Sequence, residues 1–336
     1  MAARNRLTWP HTLAVAALLL GLTGGSAAAP AEKASEEGAG ENPKPKKLTF
    51  RLPPNAFKED GTMDQDVVLA VQKKHVEVLD KEFSTKFATS ETAHYLILSD
   101  SSAGVTQQFA KCCEALYTNL QSQLSLAPKE RVWDGKCVLM LFKTKDEMLA
   151  YAAKYDEMES KTFEGYCGGQ WTKDPRGPML VYICMNTADI KPKEAQRIFV
   201  HEATHAFFFG YRSRVPLPTW LNEGIAEYMT VVNDASLHQE KWAAATSTAK
   251  NMGLITMVIE PRKEGLLEGR DYPIAYSLVE VLVTASKTKF KALVDALKDG
   301  KPQNEALKAA YGVDSTGLQK QWRAYLTSPQ GAAKRK

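Results

Sequence analysis

The stretch that decides the fold is Ile198-Phe199-Val200-His201-Glu202-Ala203-Thr204-His205-Ala206-Phe207-Phe208-Phe209, a histidine pair and one glutamate inside an otherwise apolar run. Apolar residues on both sides of the pair predict a buried helix. An i, i+4 spacing points His201 and His205 along one face of that helix, where two ring nitrogens can reach a single divalent cation without distorting the backbone. Glu202 is rotated about 100° from His201 and can act on a water beside the cation instead of ligating it. Two imidazoles and a carboxylate are costly to bury among Phe, Val and Ile unless something compensates them, and a metal ion does so.

A third ligand follows downstream. Gly and His at positions 208 and 211 would extend the motif on the same helix, but the chain has Phe208 and Tyr211, which excludes the metzincin pattern. The segment Pro218-Thr219-Trp220-Leu221-Asn222-Glu223-Gly224-Ile225-Ala226-Glu227-Tyr228 reads as a second helix, with Thr219 as its expected N-cap and a short loop, 210–218, before it. The two helices are expected to pack antiparallel, with Gly224 permitting close backbone approach. His201, His205 and Glu223 then supply two nitrogens and one carboxylate, a catalytic zinc set that leaves a fourth position for water. Glu227, one turn beyond Glu223, can accept the free N–H of a liganding histidine, His201 being the better placed, and so fix its tautomer.

H-E-x-x-H followed by W-L-N-E-G-x-A-E-Y resembles the gluzincin metallopeptidases, and most of all the peptidase MA-like domains of secreted bacterial proteins. The resemblance runs over roughly residues 93–326, and the 17 residues between His205 and Glu223 are close to the spacing usual in that group. It implies a zincin-like α+β fold, a mixed-sheet lobe carrying the active-site helix followed by an all-helical lobe. It also implies zinc held by His201, His205 and Glu223, with Glu202 as general base. In the aminopeptidase branch a tyrosine opens a later helix and donates to the tetrahedral oxyanion. Within Asp271-Tyr272-Pro273-Ile274-Ala275-Tyr276, Tyr272 is the better match by position and Tyr276 the fallback. The G-x-M-E-N strand motif that holds a substrate's free amine in that branch has no counterpart here.

Outward from the metal motif, strands and helices interleave before residue 192 and strands stop after it. Helices are expected over Asp64–Phe83, Val105–Leu124 and Asp146–Tyr155, and strands over Leu48–Leu52, His94–Ser99 and Cys137–Phe142. Gly168–Thr172 and Met179–Met185 flank the turn signal Asp174-Pro175-Arg176-Gly177 and predict a β-hairpin, one strand of which could border the cleft. This order describes an α+β chain, one catalytic domain over 48–327 with lobes at about 48–210 and 211–327.

The ends read differently. Arg4 and Arg6, the apolar run Leu13–Leu22 and the small residues 24–29 have the pattern of a signal peptide over 1–28; the apolar stretch is about 10 residues where a membrane span needs about 20. Residues 29–47 lack large apolar side chains and read as a disordered linker, and 328–336 as a frayed tail. The expected location is therefore secreted or periplasmic, with no membrane attachment after cleavage. With 43 Lys+Arg against 39 Asp+Glu the formal charge is +4, falling to +2 without the leader's arginines. That field is too weak to recruit nucleic acid; a peptide or protein substrate is the partner that the metallopeptidase resemblance implies. Cys112, Cys113, Cys137, Cys167 and Cys184 allow one or two disulfides in an oxidising compartment, although Cys137 and Cys184, inside apolar strands, read as buried thiols. The function these observations favour is a secreted zinc peptidase. A zinc-containing binding or scaffold protein without turnover, and a zinc hydrolase of a non-peptide bond, are the alternatives.

Overall fold

The computed structural model describes residues 52–82, 87–127, 130–156, 158, 163–171, 179–187, 190–251, 259, 267 and 269–328. The leader, the linker, the strand expected at 48–52 apart from Leu52, the hairpin turn 174–177 and the tail beyond Ser328 lie outside them. The described elements, in chain order, are α1 (Gln65–Glu82), β1 (Ala88–Glu91), β2 (Tyr95–Ser99), α2 (Ala103–Gln123), β3 (Cys137–Phe142), α3 (Lys145–Asp156), β4 (Gly165–Trp171) and β5 (Met179–Asn186). They continue as α4 (Pro192–Gly210), α5 (Thr219–Asn233), α6 (His238–Asn251), α7 (Tyr272–Ala285), α8 (Lys287–Lys298), α9 (Gln303–Tyr311) and α10 (Ser315–Thr327). Among the described residues beyond Pro192 there are helices and no strands.

The five strands form one mixed sheet in the order β1-β2-β3-β5-β4. β2, β3 and β5 run parallel at its centre, while β1 and β4 are antiparallel edges. Helices cover both faces, so the central strands are apolar throughout except for Ser99 and Asn186 at the ends of β2 and β5, instead of alternating. One face carries Ile97, Leu139, Ile183 and Cys167 in a row set by the strand register, packed with Phe109, Leu116, Phe199, Ala203 and Phe207 from α2 and α4. Leu98, Met140, Cys184 and Tyr166 occupy the other, against Met148, Tyr151 and Tyr155 of α3. Complete burial of a side chain such as Leu139 or Ile183 contributes about 1.5–3 kcal/mol. The first of these cores runs without a break from Tyr95 to Leu326, so the helical part rests on the same apolar body as the sheet.

Two expectations change, and one strand appears where the sequence assigned no element. Ala88–Glu91 is that strand: all four residues are exposed, and it is held by its ladder to β2 instead of by burial. Thr219 is the first residue of α5 and not its cap; Pro218 holds the capping position in an extended conformation with no side-chain hydrogen bond. All five cysteines are free thiols, four of them buried. Burial raises every one of the five above an ordinary thiol, which makes them poor nucleophiles.

Candidate metal centre

α4 lies on the sheet through its apolar face, and Pro192 opens it at the position where a missing N–H costs nothing. Its far end is tied down by Trp133, whose indole Nε1 donates to the Ala206 carbonyl at 2.9 Å, and by the buried Lys298, whose Nζ donates to the Phe208 carbonyl at 2.8 Å. α5 packs against α4 on one side and α7 on the other. Gly224 serves the second contact: a Cβ there would meet the Ala275 carbonyl oxygen at 2.5 Å. The close approach expected between the two motif helices is therefore made between α5 and the helix that begins at Tyr272.

These elements bring His201, His205 and Glu223 together. The two Nε2 atoms are 3.1 Å apart, and Glu223 Oε2 is 3.4 Å from the first and 3.5 Å from the second. Three ligands at zinc bond lengths of about 2.0–2.1 Å in tetrahedral directions stand about 3.3 Å from one another, so the three edges fit the ion. Glu223 Oε2 is buried and, among the described residues, accepts no hydrogen bond. An orphaned carboxylate oxygen between two imidazole nitrogens costs several kcal/mol unless a cation takes it. This donor set suits a metal ion, and among the described residues it is the only cluster of three or more such side chains able to hold one.

Around it the polar groups are ordered. Glu227 Oε1 lies 3.1 Å from His201 Nδ1, and its other oxygen accepts from Lys241 Nζ of α6. Burial works against charge on His201, but the carboxylates of Glu223 and Glu227 outweigh it and hold the imidazole up at about 10. For Glu227 the penalty of burial is overcome by His201 and Lys241, which pull its carboxyl down to about 2. Glu202 behaves in the opposite sense: burial raises it, the neighbouring His201 and His205 pull it back in part, and Glu223 pushes it further up. The Cys167 backbone of the edge strand β4 also favours its charged form. A carboxyl raised by burial next to imidazoles has the properties of a proton-transfer group.

The two tyrosines of α7 are distinguished by their hydroxyls. Tyr276 donates to the buried Glu280, whose other oxygen lies 3.1 Å from His238 Nε2. Tyr272's hydroxyl is buried and has no partner among the described residues. Burial, then the charges of Glu223, Glu227 and Glu202, raise Tyr272 far above an ordinary phenol, which keeps it protonated and able to donate. Lys241, His238 and Glu280 escaped the sequence reading. Lys241 and His238 lie in α6, a helix with no motif of its own, and Glu280 lies two turns past Tyr272 on α7, where nothing in the sequence marks it; the packing of α6 brings the first two to the site.

A mixed sheet crossed by a helix with two histidines, completed by a glutamate from the next helix, gives a zincin-like α+β fold. Residues 170–328, which include every one of these side chains, match the family model of the Peptidase MA superfamily. Among solved structures it is similar to a variant of the M1 zinc metallopeptidase from Deinococcus radiodurans, at 13% identity and a TM-score of 0.39 over 72% of this chain and 52% of that one. The chain thus spans about half the length of that relative. No curated protein matches the sequence.

Proposed function

We propose that the chain is an exported zinc metallopeptidase that cleaves peptide bonds by general-base hydrolysis. The observation that carries this reading is the convergence of His201 Nε2, His205 Nε2 and the partnerless Glu223 Oε2 beside a buried Glu202 that is itself no ligand. His201, His205 and Glu223 hold the zinc, which when bound supplies Lewis acidity to a water and to the scissile carbonyl. Glu202 takes the water's proton as it attacks and delivers it to the leaving amine. Tyr272 donates its hydroxyl proton in a hydrogen bond to the oxyanion that develops on the former carbonyl. Glu227 holds the Nδ1–H of His201, which directs Nε2 to the ion.

An extended peptide lying along the edge strand β4 would run beside Glu202, whose charge reaches Cys167 of that strand. Export rests on the leader pattern of residues 1–28; among the described residues no helix is long and apolar enough to cross a membrane. The catalytic unit is taken as 48–327, since the sheet that supports α4 begins well before the matched segment. The deciding experiment is Glu202→Gln: zinc content and thermal midpoint stay at the parent's values while hydrolysis of a peptide library falls by at least about 10²-fold. Parental turnover in that variant would remove the mechanism.

A further inference from the structure

Helix α6 contributes nothing to the zinc set, yet it delivers a cation into the wall behind it. Trp242, fully buried, stands edge-on to Tyr325 with ring centroids 5.9 Å apart, and Ala245, one turn on, is also fully buried. That face anchors α6 to the core and leaves its adjoining face turned toward α5 and α7. From it Lys241, its side chain 17% exposed, reaches Glu227 Oε2, and His238, one turn earlier, reaches Glu280. Glu227 is thereby held at both oxygens, by Lys241 on one and His201 Nδ1 on the other.

From this arrangement we infer that Lys241 is a positioning residue for the metal centre, acting through Glu227 on His201. The inference deepens the zinc reading and rests on it. A carboxylate gripped at one oxygen alone can rotate about its last bond; gripped at both, it presents Oε1 to His201 in one orientation. An ionised carboxylate accepts and cannot donate, so Glu227 requires the proton of His201 on Nδ1 and leaves Nε2 as the ligand atom. Lys241 also supplies the positive charge that a site with Glu202, Glu223 and Glu227 all buried needs beyond a single dication. Without Lys241 the Glu227 carboxylate is gripped at one oxygen only and is free to turn, which loosens the orientation of the His201 ring.

The test measures zinc affinity by competition with a chromophoric chelator, the visible spectrum of the cobalt(II)-loaded protein, and the thermal midpoint of the chelator-treated protein, all on the full chain. Lys241→Met is expected to weaken zinc binding about 10- to 100-fold and to alter the cobalt spectrum, with the metal-free midpoint close to the parent's. Lys241→Arg, which keeps a cation, should recover most of the affinity. In a Glu227→Gln background Lys241→Met should add less than about threefold, because the lysine acts only through that carboxylate. Should Lys241→Met fail to fold, Lys241→Gln is measured in its place and read the same way. Parental affinity in the uncharged variant, or an undiminished loss in the Glu227→Gln background, overturns the inference while the zinc reading stands. A parent protein that binds no zinc overturns the zinc reading itself.

Discussion

Gly224 offers the sharpest test of how the site is held, because two effects of opposite sign meet in one methyl group. In an unconstrained helix Gly→Ala gains about 1 kcal/mol from backbone entropy and solvation. At position 224 the added Cβ would lie 2.5 Å from the Ala275 carbonyl oxygen, 2.8 Å from its carbonyl carbon and 2.8 Å from Val279 Cγ2, where ordinary contact is 3.4–4 Å. Two of the three obstacles are backbone, so α5 and α7 must part locally by roughly 1 Å. Over-packing of this kind costs about 1–3 kcal/mol, and against backbone the upper part of that range applies, which leaves Gly224→Ala destabilised by about 1–2 kcal/mol. At about 2–4 °C per kcal/mol for a chain of this size, the thermal midpoint of the chelator-treated protein should fall by roughly 2–8 °C. Because Glu223 is the adjacent residue, zinc affinity should fall as well. A variant as stable as the parent, or more stable, would mean that helix propensity prevails and that α5 and α7 do not meet at Gly224.

The two tyrosines of α7 should respond in opposite ways. Tyr272→Phe keeps the fold and zinc but lowers kcat about 10²- to 10³-fold, whereas Tyr276→Phe strips Glu280 of a donor, costs about 1–3 kcal/mol of stability and leaves kcat near the parent's; the reverse pattern would exchange their roles. Lys298 gives a pH signature. Burial holds its ammonium down at about 8 from a reference of 10.5, so between those values the unfolded chain binds more protons and stability must rise with pH, by up to about 3 kcal/mol. Urea unfolding at pH 7.5 and 10.5 should show that gain in the parent relative to Lys298→Met, and equal pH slopes in the two proteins would refute it.

How much of this was readable in advance depended on what each residue reports to its neighbours in sequence. Cys137–Phe142 is apolar at all six positions because helices bury both faces of β3, and the strand has the bounds its composition predicts. β1 has no such mark: Ala88–Glu91 is exposed throughout, so what makes it a strand is its hairpin ladder to the next strand, Tyr95–Ser99. Residues 201, 205 and 223 could be brought together on paper because helical spacing is a local rule and the loop between the helices is short. Gly224 announced a close approach but the sequence assigned it to the wrong helix, α4, since the true partner α7 begins about 50 residues later. Lys241 was invisible for the same reason: nothing near it in sequence distinguishes it from a solvated lysine, and its meaning comes from Trp242 docking α6 against the core.

The central claim is that His201, His205 and Glu223 ligate one zinc ion per chain. X-ray absorption at the zinc edge on the stoichiometric complex, compared with Glu223→Gln, tests it most directly. The account predicts a first shell of nitrogen and oxygen at about 2.0–2.1 Å with two imidazoles, and a large loss of zinc affinity in the variant. A first shell containing sulfur, or a Glu223→Gln protein that binds zinc as tightly as the parent, would contradict it.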